Sequence, residues 1–152
     1  MQLARLDPQS RIIYGVHKFL RGFHPSADGS AVGIEFEDHL RDRLSEQISF
    51  DLISSRHDLG LGQGLSTRSG LVHELDLITR QGSNLFIFEL KHYAESQLNK
   101  EMVLVFNQKV IDYYLENYKT LSTLKVHRIF VTRSRQLTRI FVSFVLYGVF
   151  CW

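Results

Sequence analysis

The chain has 152 residues, 44% of them hydrophobic and 22% charged, which fits one globular domain with a sizeable core. A formal net charge of +2 gives no global electrostatic argument for a nucleic-acid partner, so any such surface must be a local patch. A single cysteine, Cys151, excludes an internal disulfide and a cysteine-based zinc cluster, and the seven histidines are scattered with no HExxH pair.

The opening segment MQLARLDPQSR lacks the continuous apolar stretch of a secretory signal, so a cytoplasmic location is expected. Asp7-Pro8 is a helix start, with Asp as N-cap and Pro at the first helical position. Ile12, Ile13, Val16, Phe19, Leu20 and Phe23 then recur at helical spacing. Arg11, His17, Lys18, Arg21 and His24 occupy much of the other side. Such a basic face can touch phosphate, and it is more often the solvated side of a packing helix. The run from Pro25 to Ser30 ends the helix as a linker, so residues 1–30 form an extension and residues 31–152 the core of a single domain.

A second helix is expected over residues 31–49, with Phe36, Leu40, Leu44 and Ile48 as its buried stripe and Glu37 on the flank. Residues 48–54 read as a short strand. Residues 55–70 hold four glycines with Arg56, His57 and Arg68, and no GK[ST] follows, so this is no Walker A loop. A long loop with two arginines is a candidate hold on a nucleic-acid strand.

Two apolar runs, LVHELDLIT and LFIFELKHY, flank Arg80-Gln81-Gly82-Ser83-Asn84. With Gly82-Ser83 as the turn they form a β-hairpin, and Gly at the first central position suits type II′. Counting outward, Gln81 faces Asn84, Ile78 faces Ile87, Asp76 faces Glu89 and Glu74 faces Lys91. Alternation then places Glu74, Asp76, Glu89 and Lys91 on one face at one end of the hairpin. Opposed residues have Cβ atoms roughly 5 Å apart, so Asp76 and Glu89 repel unless a cation or a proton lies between them. Paired carboxylates beside a lysine supply the hard oxygen donors that Mg²⁺ requires.

A third helix is expected over residues 97–118, with Leu104, Ile111 and Leu115 as its stripe and Gln108 inside it. Tyr113, Tyr114 and Tyr118 are better suited to core packing than to base stacking. Residues 125–132 read as a strand, 133–146 as a helix and 147–152 as a last strand. The apolar run 140–152 is too short to span a bilayer, so no membrane partner is expected. A hairpin followed by a strand–helix–strand crossover gives an α/β fold with a central mixed sheet of about four to five strands, flanked by helices on both faces.

Asp76, a gap of twelve residues, and Glu89-Leu90-Lys91 together resemble the signature of the PD-(D/E)XK nuclease superfamily, the restriction-endonuclease-like fold. The family's proline before the aspartate is Leu75 here. The string Gly33-Ile34-Glu35-Phe36-Glu37 resembles the first-helix motif of that superfamily, which makes Glu37 the helix acid, with Glu35 as the alternative. Asn107-Gln108-Lys109 resembles the segment in which many members carry a glutamine or lysine near the metal water or the substrate phosphate. The likeness covers residues 33–152.

The resemblance implies a Mg²⁺-dependent nuclease, with Mn²⁺ able to substitute, acting on phosphodiester bonds and by preference a DNA endonuclease. It implies a metal site of Asp76, Glu89, the Leu90 carbonyl and Glu37. It also implies catalytic roles for Lys91 and Gln108, and the candidate nucleic-acid contacts are the loop arginines Arg56 and Arg68 together with Lys109. The alternative is a nucleic-acid-binding or assembly module that has the fold and no catalysis. Homodimerisation and a targeting partner protein both remain open.

Overall fold

The computed structural model of the chain describes residues 5–26, 28–29, 31–55, 65–66, 72–93, 99–134 and 149–151. The elements in order are α1 (Pro8–Gly22), α2 (Ala31–Gln47), β1 (Leu52–Ser55), β2 (Leu65–Ser66), β3 (Val72–His73), β4 (Leu77–Gln81), β5 (Asn84–Tyr93), α3 (Lys100–Glu116), α4 (Tyr118–Leu121), β6 (Lys125–Ser134) and β7 (Val149–Cys151).

Five strands form one mixed sheet in the order β1-β4-β5-β6-β7. Only β5 and β6 are parallel, and α3 makes the crossover between them. The central strand β5 carries an unbroken apolar run because both of its faces are covered. Phe86, Phe88 and Leu90 join Leu77, Ile129 and Val131 beneath α1 and α2. Leu85 and Ile87 join Ile78, Val126 and Phe130 beneath α3 and α4. The α/β architecture with helices on both faces is therefore as expected.

Helix α1 begins where Asp7 accepts hydrogen bonds from the Ser10 amide (3.0 Å) and hydroxyl (2.6 Å), with Pro8 behind it. It packs closely on α2 because position 15 has no side chain. A Cβ there would come within 2.8 Å of the buried Leu44 Cδ2. Asn99 caps α3 by accepting from the Met102 amide at 3.0 Å.

The structure corrects several boundaries. Ile48 follows directly on α2, its amide bonded to the Leu44 carbonyl at 2.9 Å, and β1 starts only at Leu52. The first hairpin strand starts at Leu77 instead of residue 71, because residues 72–73 pair with residues 65–66 in a separate two-stranded sheet. Strand β6 runs through residues 133 and 134, where a helix was expected. Residues 135–146, the rest of that expected helix, lie outside the described residues, as do Arg56 and Arg68. Strand β7 appears within the expected 147–152 and pairs with β6 of the same chain.

The apolar stripe of α3 is also not the expected one. Leu104 and Leu115 are each 61% exposed, and Phe106 and Val110 are the buried pair. Helix α3 has apolar residues on two sides, and only the sheet beneath it decides which side is covered. No helix among the described residues is long and apolar enough to cross a membrane.

Candidate functional site

Gly82 has φ of 59°, and no non-glycine residue among the described ones has a positive φ, so Ser83 does not. Positive φ at the first central residue alone is the mark of a type II′ turn. Asp51 fixes the turn by accepting from the Gly82 amide at 2.7 Å. The register that follows is Gln81 opposite Asn84, Ile78 opposite Ile87 and Leu77 opposite Phe88.

At this end β4 reaches only to Leu77, while β5 continues to Tyr93 with β6 as its partner, so the expected Asp76–Glu89 and Glu74–Lys91 pairs are not part of the ladder. The hairpin therefore opens at this end, and the site lies in the opening. Asp76, the first residue past the end of β4, turns its carboxylate onto β5 and accepts from the Leu90 amide at 2.7 Å. A side chain thus replaces a backbone ladder bond. Alternation directs Glu89 and Lys91 to the α3 face, and Leu90 and His92 to the α1/α2 face. His92 accordingly packs on Phe36 and Phe23, with ring centroids 5.5 and 5.8 Å away.

Glu89 is buried and receives two ammonium groups. Lys91 Nζ lies 2.9 Å from its Oε1. Lys109 Nζ, reaching down from α3, lies 3.2 Å from Oε1 and 3.2 Å from Oε2, and also donates to the Glu74 carbonyl at 3.3 Å. Asp76 is 6% exposed. Burial raises its pKa to about 6, and the charge of Glu89 adds to the rise. The Leu90 amide, Lys91 and Lys109 pull the other way without cancelling it.

Two neighbouring carboxylates, one held back from ionising by burial and by the other, form a donor set suited to a divalent cation. Mg²⁺ commonly takes one or two carboxylates and completes its shell with water and substrate phosphate oxygens. Asp76 and Glu89 could hold such an ion, with the Leu90 carbonyl beside them on β5. Among the described residues, no three His, Cys, Asp or Glu side chains group closely enough to hold a metal.

That finding bears on Glu37. Helix α2 lies in the layer opposite Glu89 and Lys91, and Phe36 packs on His92 there. Glu37 is half-buried and does not complete a three-residue set with Asp76 and Glu89. Its neighbour Glu35 accepts from the Ser26 amide and hydroxyl, at 2.9 and 2.7 Å, which ties down the start of α2.

Gln108 is a second departure. Its side chain is exposed and donates to Asp112 at 2.9 Å, along its own helix. Lys109, expected only as a nucleic-acid contact, is the residue of that segment that meets the carboxylates. Once the sheet has selected Phe106 and Val110 as the covered side of α3, with Tyr113 packed against it, helical spacing brings Lys109 to that side. A lysine on that side of the helix needs an acid beneath it.

The chain matches no family model, no curated protein and no solved structure.

Proposed function

We propose that this chain is a Mg²⁺-dependent nuclease of the restriction-endonuclease-like fold, cleaving phosphodiester bonds in DNA as an endonuclease. The observation that carries the reading is the convergence of Asp76, Glu89, Lys91 and Lys109 where β4 stops and β5 continues.

Asp76 and Glu89 would hold the cation, which when bound would supply Lewis-acid polarisation of the phosphate and a lowered pKa for a bound water. Lys91, next to Glu89 on the same face, orients the attacking water toward phosphorus. Lys109 approaches from the helix and offsets the charge that develops on the phosphate. The Leu90 amide fixes Asp76 by its 2.7 Å bond, so the donor oxygens are positioned before substrate arrives. Mn²⁺, another ion that takes oxygen ligands, substitutes for Mg²⁺.

The position of α2 favours one second reading. With Glu37 in the opposite layer and both lysines on Glu89, the chain is instead a nucleic-acid-binding or assembly module without catalysis.

The test is cleavage of supercoiled plasmid by the purified protein with Mg²⁺ or Mn²⁺, beside Asp76→Ala. Nicked circles from the wild type alone are expected. Equal cleavage by Asp76→Ala would sink the assignment, and DNA retention without cleavage would establish the second reading.

A further inference from the structure

A cleft of about 360 Å³ lies on the opposite side of the sheet, between α1 and α2. It is lined by Lys18, His24, His39 and Arg43, over a floor that includes Phe19 and Phe23. Lys18 comes from α1, His24 from the segment just past it, and His39 and Arg43 from successive turns of α2, so two elements converge on one space.

None of the lining residues is acidic. Arg43 pairs with Glu46 at 3.3 Å, but both side chains are more than 60% exposed, and such a pair yields easily to a stronger anion. At Gly22, an added Cβ would meet nothing within 4 Å, so the backbone there is open to a ligand. Positive side chains and a volume at the small end of ligand sites fit a phosphate carrying part of a sugar.

The cleft also has a defined relation to the carboxylate cluster. Phe23, in its floor, stacks edge-on with His39 (5.7 Å) and with His92 (5.8 Å). His92 stands three residues beyond Glu89 on β5. Arg133 of β6 donates to the Phe23 carbonyl and lies over the Phe23 ring. Cleft and cluster therefore occupy the same end of β5, on its two faces.

We propose that the α1/α2 cleft is a phosphate subsite that holds a backbone phosphate of the bound strand, several nucleotides away from the one to be cleaved. This rests on the nuclease reading for the second half of the statement only. A strand lying on Asp76 and Glu89 continues round the end of β5, and Lys18 and Arg43 grip it on the far face.

The test uses the full chain and the double variant Lys18→Ala/Arg43→Ala, neither residue belonging to the carboxylate cluster. Binding of fluorescent single-stranded and duplex oligonucleotides is followed by anisotropy over a salt series, with circular dichroism to verify the fold. The variant is expected to bind about tenfold more weakly. Its slope of log K against log salt is expected to be shallower by about 0.7–0.9, the value of one lost phosphate contact. Equal affinity and slope overturn the proposal. In parallel, inorganic phosphate is titrated against the His24 and His39 ring resonances. A response to phosphate with oligonucleotide binding unchanged makes the cleft a site for a free phosphate group and overturns the strand assignment. Weaker binding by the variant, when the wild type cleaves nothing, supports the subsite and overturns the nuclease reading alone.

Discussion

Lys109 Nζ stands 3.2 Å from both oxygens of Glu89, a bond from the middle of α3 to the central strand across 20 residues of sequence. With Lys91 at 2.9 Å, the ammonium groups sit where the two carboxylates most need positive charge. A divalent cation entering the site competes with Lys109 for the same oxygens. Lys109→Met is therefore expected to bind Mn²⁺ about tenfold more tightly, roughly 1.4 kcal/mol, while cleaving DNA more slowly. Calorimetric titration measures the first effect and a plasmid assay the second. Mn²⁺ affinity that is equal or weaker would count against Lys109 as the competing charge.

Asp76 gives the metal-free protein a defined pH response. Its pKa is raised from 3.8 to about 6, so over that interval the folded state holds a proton that the unfolded state has lost. Stability is greatest below 3.8 in respect of this group and falls as pH rises through about 6, by on the order of 3 kcal/mol. Asp76→Asn keeps an oxygen for the Leu90 amide and removes the titration, so it should be more stable than the wild type at pH 7 and not at pH 4. His92 and His127, both lowered by burial, act in the opposite direction but equally in both proteins. Urea unfolding at several pH values tests this, and a constant difference between the two proteins would refute it.

Gln108 and Lys109 are adjacent in sequence and far apart in consequence. Gln108→Ala removes only an exposed bond to Asp112, so its expected cost is within about 0.5 kcal/mol in stability, with cleavage unchanged. Lys109→Gln removes a cation from Glu89 and should slow cleavage by about 10²-fold, at the low end of what one charge-stabilising group is worth. A rate loss from Gln108→Ala equal to that from Lys109→Gln would reverse their roles.

Gly15 tests the packing of the first two helices. Alanine is ordinarily favoured over glycine in a helix by about 1 kcal/mol. Here a Cβ would lie 2.8 Å from Leu44 Cδ2, and Leu44 is fully buried. Gly15→Val has a smaller propensity gain and adds two methyl groups beyond the Cβ, so it should destabilise by about 2 kcal/mol through overpacking. Thermal unfolding measures it. A melting temperature at or above that of the wild type would mean that the α1/α2 contact is loose.

The hairpin was legible because its determinants are local. Gly82-Ser83 fixes the turn, and the turn fixes the register as far as Leu77 opposite Phe88, which leaves Asp76 and Glu89 as the next residues outward although no ladder pair joins them. The start of α1 was legible for the same reason, since Asp7-Pro8 needs no partner beyond Ser10. The central strand announced itself by an apolar run that only a doubly covered strand can carry.

What the tertiary structure decided is which of several equivalent surfaces meets another. Helix α3 has two apolar sides, and the sheet selected Phe106 and Val110, which turned Lys109 inward and Gln108 outward. Helix α2 could flank either face, and its packing with α1 on Phe86, Phe88 and Leu90 placed Glu37 in the layer away from Lys91. Strand β4 could have continued to residue 71, and the pairing of residues 72–73 with residues 65–66 stopped it short and opened the end of β5. Each outcome depends on contacts between residues distant in the chain, whose energies no local pattern of side chains records.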